Sequence, residues 1–248
     1  MEKSEVIRRA EDLSKRCEKT GTVTFSKFLT PAEQMELRNE LHPEGDSRMI
    51  LFGGGAETER KAAFFLPFYV SDDEFDPYDA IGVMKIVPYF GTPGHRDYLG
   101  ALLGMGVDRS CIGDIEITEE AAYVFCMKSV LGHLLSIEKI GKCGVKTMEV
   151  LPSEVPETER KVRTRTFPVM SMRLDAVVSG MFGISRSEAV RQISLGNVSL
   201  NYRSMEKADA RVSQGDILSL KGYGKGSVVS TGGMSRKGRL FINSEIYQ

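Results

Sequence analysis

The stretch RLDAVVSGMFGISRSEAVRQISLGNVSLN, Arg173 to Asn201, leaves a folding chain few choices. Leu174, Val177, Val178 and Met181 fall at i, i+3, i+4 and i+7, which predicts one apolar helix face behind a Ser171 cap. Ser185-Arg186-Ser187-Glu188 predicts a second helix with a capping box, buried through Ala189, Val190 and Ile193 and stopped at Gly196. Val198 and Leu200 alternate with polar residues as in a half-buried strand, and Gly215-Asp216 turns into another, ILSL. Arg186 and Arg191 are left outward, about 140° apart on a helix that turns about 100° per residue.

Charge is divided along the chain. From Arg160 onward there are 15 Lys and Arg against 6 Asp and Glu, a net +9; residues 1–159 hold 18 against 28, a net −10. The whole-chain charge of −1 hides this separation. A cationic segment tied to an anionic one predicts a polyanionic partner on one side only.

Arg173-Leu174-Asp175, Ser185-Arg186, Ala189, Ile193, Gly196-Asn197-Val198, Asn201 and Gly215-Asp216 together resemble the S4-type RNA-binding domain. That pattern has Gly after the Asn, whereas Tyr202 stands here, so a different turn is expected. The resemblance and the charge make Arg173, Ser185, Arg186, Arg191, Asn197, Asn201, Arg203 and Lys207 candidate RNA contacts. The tail adds Lys221, Lys225, Arg236, Lys237 and Arg239 among glycines, before a last strand at Leu240–Ile242. Glycines let a backbone approach phosphates closely, and cations gain affinity by releasing counterions. These side chains are expected to form a single RNA-gripping surface. The double reversal Arg186→Glu with Arg191→Glu is expected to abolish binding and leave the fold intact.

Upstream, residues 1 to about 42 read as helical, with Val6, Ala10, Leu13 and Cys17 on one face and Pro31 opening a further helix. Met49–Phe52 and Ala62–Leu66 read as strands around Gly53-Gly54-Gly55. That triplet lacks the GKS/T ending of a phosphate loop and reads as a turn or bulge. From about 80 to 152 the order is βαββαβ: Ile81–Pro88, a helix from His95, Ile112–Ile117, Ala121–Cys126, a helix through Val130–Leu135, and Val145–Leu151. This order predicts a ferredoxin-like sandwich of the RNA-recognition type. Tyr123 and Phe125 share a face and could stack bases, but the glycine-rich RNP sequence is absent, which favours core packing or a protein contact.

Within this segment GHRDYLGALLGMGVDRSCIGDI, together with Gly54-Gly55 and Glu59-Arg60-Lys61, resembles the YlmH family of bacterial S4-domain proteins. The likeness runs from about Phe28 to Arg239. It implies association with the large ribosomal subunit and contact with rRNA and tRNA. It further implies a part in rescuing stalled, tRNA-obstructed subunits, supporting untemplated extension of the nascent chain. His95, Arg96, Asp97 and Arg109 form a possible second surface.

Two motifs imitate enzymes. His95-Arg96-Asp97 copies a kinase catalytic triplet without the kinase's other loops. Arg173-Leu174-Asp175 copies a pseudouridine-synthase loop, but fewer than 75 residues follow it. The expectation is a non-enzyme; an RNA-modifying enzyme and a cell-division adaptor are the alternatives. Four cysteines and three histidines show no metal spacing, no apolar run nears the roughly 20 residues of a membrane helix, and the charged N-terminus is no signal peptide. The expected protein is an α+β, cytoplasmic monomer without a cofactor. Its expected parts are an N-terminal helical region and hairpin (1–78), a central domain (79–155), a linker (156–170) and an S4-type domain with its basic tail (171–248).

Overall fold

The computed structural model describes residues 4–41, 45, 47–55, 58–71, 73–156, 162–234 and 238–247. The chain divides into two compact units, Met1–Glu157 and Thr158–Gln248.

The first unit opens with α1 (Glu5–Thr20), capped by Ser4 and ended by Gly21 at φ 63. Then come β1 (Thr24–Leu29), α2 (Pro31–Glu40), β2 (Arg48–Phe52) and β3 (Lys61–Leu66). Thr30 and Glu33 close a capping box at the start of α2, with Pro31 in its first turn. The sequence reading of a helical region from 1 to about 42 fails at β1, the strand between its two helices. Gly21 stops the helix, and the Val-Thr-Phe run after it favours an extended chain that buries Phe28. The three strands form an antiparallel sheet in the order β1-β3-β2.

Next follow β4 (Ile81–Pro88), α3 (His95–Gly104), β5 (Ile112–Ile117), β6 (Ala122–Met127), α4 (Lys128–Leu134), β7 (Lys139–Ile140) and β8 (Cys143–Val150). Their antiparallel order is β5-β6-β4-β8-β7. The two-residue β7 is an addition that a short apolar pattern does not announce. On one face Tyr98 and Leu102 of α3 and Leu131 and Leu134 of α4 pack on Met84, Ile86, Val124 and Cys126. On the other face Phe28, Phe64 and Leu66 of the N-terminal sheet pack on Ile81, Val83, Tyr123, Phe125 and Met127. Tyr123 and Phe125 are therefore 5% and 1% exposed and have no room to stack a base. Gly54 sits in this layer at φ 107, where a Cβ would lie 2.1 Å from the Phe125 ring. Part of the glycine triplet is thus a close-packing device.

The second unit contains β9 (Val162–Val169), α5 (Leu174–Phe182), α6 (Arg186–Ser194), β10 (Val198–Leu200), β11 (Arg203–Ser204), β12 (Ile217–Leu220), β13 (Gly224–Met234) and β14 (Leu240–Tyr247). They build a six-stranded antiparallel sheet in the order β11-β10-β12-β13-β14-β9. Leu174, Val177, Val178 and Met181 of α5, with Ala189 and Ile193 of α6, cover one face of it. All six are 0% exposed.

Four local expectations change here. The stretch 156–170 is not merely linker: β9 pairs with β14 from Val162↔Tyr247 to Val169↔Leu240, because Phe167 and Val169 face the core. The glycine-rich tail is the β13–β14 hairpin. Arg173, not Ser171, occupies the cap position of α5. Val190 is 37% exposed instead of buried. No helix among the described residues is long and apolar enough to cross a membrane.

Candidate nucleic-acid interface

At the start of α5 the buried Asp175 carboxylate holds two arginines. Arg173 Nε donates to Oδ1 at 3.1 Å, and Arg186 Nε and Nη2 lie 3.1 and 3.0 Å from Oδ2. Oδ1 also accepts the Ala176 N–H at 2.9 Å. Burial alone would raise this carboxyl's pKa, but the two guanidinium groups outweigh it and hold it below the usual value. The arginines keep their outer edges in solvent, with side chains 43% and 57% exposed. A buried anion thereby fixes two cations at a defined spacing, which is the preorganisation that phosphate recognition requires. The connection after β11 threads past the same point. The Leu174 N–H donates to Ala210 O at 2.8 Å, and Arg211 bridges Arg173 backbone to backbone. Exposed Arg211 and Asp209 thus flank Arg173, and Lys207 is exposed in the same connection.

Asp175 and Arg211 are the residues that sequence reasoning missed. The signal for Asp175 was its place in Arg-Leu-Asp followed by an outward arginine from the next helix; for Arg211 it was the basic connection. Arg186 is consequently not a free surface cation. Arg186→Glu would press a second carboxylate against a buried one, so the double reversal expected above would disturb the fold.

A second group lies further along α6. The Arg191 guanidinium grips the Glu188 carboxylate at 3.0 and 3.1 Å. Gln192 donates to Glu188 at 2.7 Å, and Asn197 donates to Gln192 at 2.7 Å. Ser185 caps the helix by accepting the Glu188 N–H at 3.1 Å. Only half of the anticipated capping box forms, because Arg191 and Gln192 occupy the Glu188 carboxylate. The Lys221 N–H donates to Asn197 O at 3.0 Å, which sets an exposed lysine and the half-exposed Tyr223 beside this group.

A third group faces the other way. Gly226 and Val228 of β13 face the helices, so Lys225 points from the opposite side of the sheet. Its ammonium lies 5.8 and 5.5 Å from the ring centroids of Tyr202 and Tyr247, within cation–π range. The Asn201-Tyr202 turn keeps the left-handed pair of an Asn-Gly turn, with φ 50 and 65. The Asn201 amide donates to Asp216, its Oδ1 accepts the Ile217 N–H, and the chain tolerates Tyr where Gly is unstrained. Asn201 is thereby committed to the turn. Arg203 is exposed on the edge strand β11, and Arg239 is exposed before β14. Arg236 and Lys237 lie outside the described residues. The cations are therefore spread over two sheet faces, not gathered on one surface as expected.

In the first unit the four second-surface residues separate. His95, Arg96 and Asp97 are exposed in the first turn of α3, where Asp97 accepts the Gly94 N–H at 2.8 Å and closes the cap. Arg109 turns inward and donates to the carbonyls of Ile112 and Gly113. Burial and the neighbouring Arg60 lower its pKa. Arg60 donates to Ile112 O at 3.2 Å and Phe28 O at 3.0 Å, while Asp114 accepts the N–H groups of Glu59 and Arg60. The two halves of the family signature thus meet as a joint between the sheets. No cluster of metal-binding side chains occurs among the described residues.

Comparison with known proteins agrees with this division. Residues 81–154 match the family model described as "Putative RNA-binding domain in YlmH", and residues 172–218 match the S4 domain model. The chain is 29% identical over 224 residues to "Ribosome-associated protein quality control protein P2" of Bacillus subtilis (strain 168), covering 89% of this chain and 86% of that protein. Among solved structures it is similar to "Cell division protein ylmH from Streptococcus pneumoniae", with a TM-score of 0.50 and 20% identity, over 62% of this chain and 96% of the other. With an S4 domain on one unit and a central domain that matches the YlmH model on the other, the chain is similar to the YlmH family of S4-domain RNA-binding proteins.

Proposed function

We infer that this protein acts without catalysis on the ribosome, holding rRNA and tRNA on the large subunit while a stalled, tRNA-obstructed complex is rescued. The observation that carries this reading is the Asp175 clamp, which presents Arg173 and Arg186 outward beside Arg211 on a unit with 15 Lys and Arg against 7 Asp and Glu, a net +8. Such a site grips a folded RNA by shape and phosphates and asks nothing of base sequence. The ribosome-associated relative supports the choice of target. The protein works in the cytoplasm as a monomer. Asp175 takes a structural part in this reading, since its carboxylate is fully engaged by two guanidinium groups and a backbone N–H.

Sedimentation of cell extract on a ribosome gradient, with crosslinking to identify the contacted RNA, tests the reading. Co-migration with large subunits and crosslinks to rRNA and tRNA are the expected results. Migration away from all ribosomal particles would refute it. A new base modification on RNA incubated with the protein would transfer the case to the enzyme alternative.

A further inference from the structure

The central domain keeps most of its large aromatic side chains inside, yet Tyr89 and Phe90 stand out at 70% and 62% exposure. They are not loosely held. The Tyr89 N–H donates to Gly144 O at 2.9 Å, and Cys143 Sγ donates to Phe90 O at 2.6 Å. The Tyr89 ring lies over Gly144, where a Cβ would come within 3.0 Å of it. The backbone is fixed, and the rings are presented to solvent.

The surroundings are cationic on one side. Gly144 pairs with Lys139 across β7, so Tyr89 and Lys139 flank a residue without a side chain, about 10 Å apart at normal strand spacing. Lys142 is exposed in the β7–β8 turn, and Lys146 is exposed one sheet row further along. Gly91 turns the chain after Phe90, and α3 begins five residues on, with His95 and Arg96 exposed in its first turn. The acidic groups nearby are Glu138, Asp97 (occupied by its cap), and Glu119 and Glu120 on the β5–β6 side. Glu119 and Glu120 disfavour a negative ligand on the β5–β6 side, while Glu138 stands beside Lys139 and offsets part of its charge. A second exposed pair, Phe68 and Tyr69, precedes Asp73, Glu74 and Asp76.

We propose that Tyr89 and Phe90, with Lys139, Lys142 and Lys146, form a second RNA contact that stacks unpaired bases and attracts their phosphates. Every base has a π face, so such a platform is tolerant of sequence, and the lysines add salt-dependent attraction. This site rests on the reading of the chain as an RNA-binding protein. It would let a chain whose S4 unit grips a folded RNA also hold a single-stranded loop or end. The sheet face that RNA-recognition domains use is closed here by the N-terminal sheet, so the platform lies at the end of the strands instead.

The chain contains no Trp, so Tyr89→Trp in the full-length protein makes a single reporter. Titration with poly(U), which is largely unstacked, is expected to quench it. Lys139→Glu with Lys142→Glu is expected to raise the midpoint about tenfold. Lys15→Glu on the exposed face of α1 is expected to leave the quench in place. Tyr89→Ala with Phe90→Ala, read by anisotropy of labelled poly(U), is expected to lose about tenfold or more. No quench, in a protein that still binds folded tRNA, would overturn the platform and leave the broader reading standing; the aromatic pair would then suit a protein partner. A protein that binds neither RNA would overturn both. Quenching lost on reversal of Lys207 and Lys221 but not of Lys139 and Lys142 would also overturn the platform.

Discussion

Both units pair an antiparallel sheet with two helices on one face, and they differ in what happens to the other face. In the first unit a three-stranded sheet covers it, so Tyr123 and Phe125 become core, and the unit carries 18 Lys and Arg against 27 Asp and Glu, a net −9. In the second, the outer face keeps Lys225, Tyr202 and Tyr247 in a cation–π group, while the helix side displays arginines held by a buried aspartate. The lesson is that residue type does not make an RNA surface. The same aromatics serve as core or as contact according to which layer the chain places over them.

The sharpest way to break this comparison is charge reversal on each side. Arg203→Glu, Lys207→Glu and Lys221→Glu together alter exposed residues only, and RNA affinity should fall roughly 10³-fold at moderate salt. Lys15→Glu on the exposed face of α1 should change it less than about twofold. Equal losses in an anisotropy titration would erase the distinction between the units.

Gly54→Ala attacks the covering layer instead. It combines overlap with Phe125 and a φ of 107, and should cost about 3 kcal/mol in urea unfolding. RNA affinity measured under folding conditions should stay as it is.

Asp175→Asn tests the clamp with a smaller effect, about 1–2 kcal/mol of stability, because both arginines remain partly solvated. Its pH signature has a definite sign. The folded carboxyl titrates below its unfolded value, so its contribution is complete above the unfolded pKa and is lost as pH falls through the folded one. The difference in melting temperature between wild type and variant should therefore shrink below about pH 4.

The smallest expected effect concerns the thiols. All four cysteines are buried, and burial pushes Cys126 up to about 12. Ellman's reagent at neutral pH should leave it unmodified until urea is added.

Local elements of the S4 module could be read from the sequence, because apolar spacing and glycine stops act over a few residues. The helix face of Leu174 to Met181 and the Gly196 stop are examples. Relations across the sheets could not. Nothing in the spacing of Thr24–Leu29 says that it pairs with β3, or that β9 runs beside β14 for eight residues. The candidate contacts were legible as residue types and not as an arrangement. Arg109 looked like Arg96 in the sequence, yet one is enclosed against backbone carbonyls and the other is exposed. Asp175 was legible as a helix-start carboxylate, but its second arginine comes from the next helix, and only folding brings that partner in.

The central claim is that the second unit binds RNA through its cations, and the salt dependence of binding tests it most directly. The affinity of the full chain for a folded tRNA, measured across a range of KCl, should fall on a log–log line of about −0.7 to −0.9 for each phosphate neutralised. The Arg203, Lys207 and Lys221 reversal should flatten that line. An affinity indifferent to salt, with the same slope in both proteins, would contradict the account.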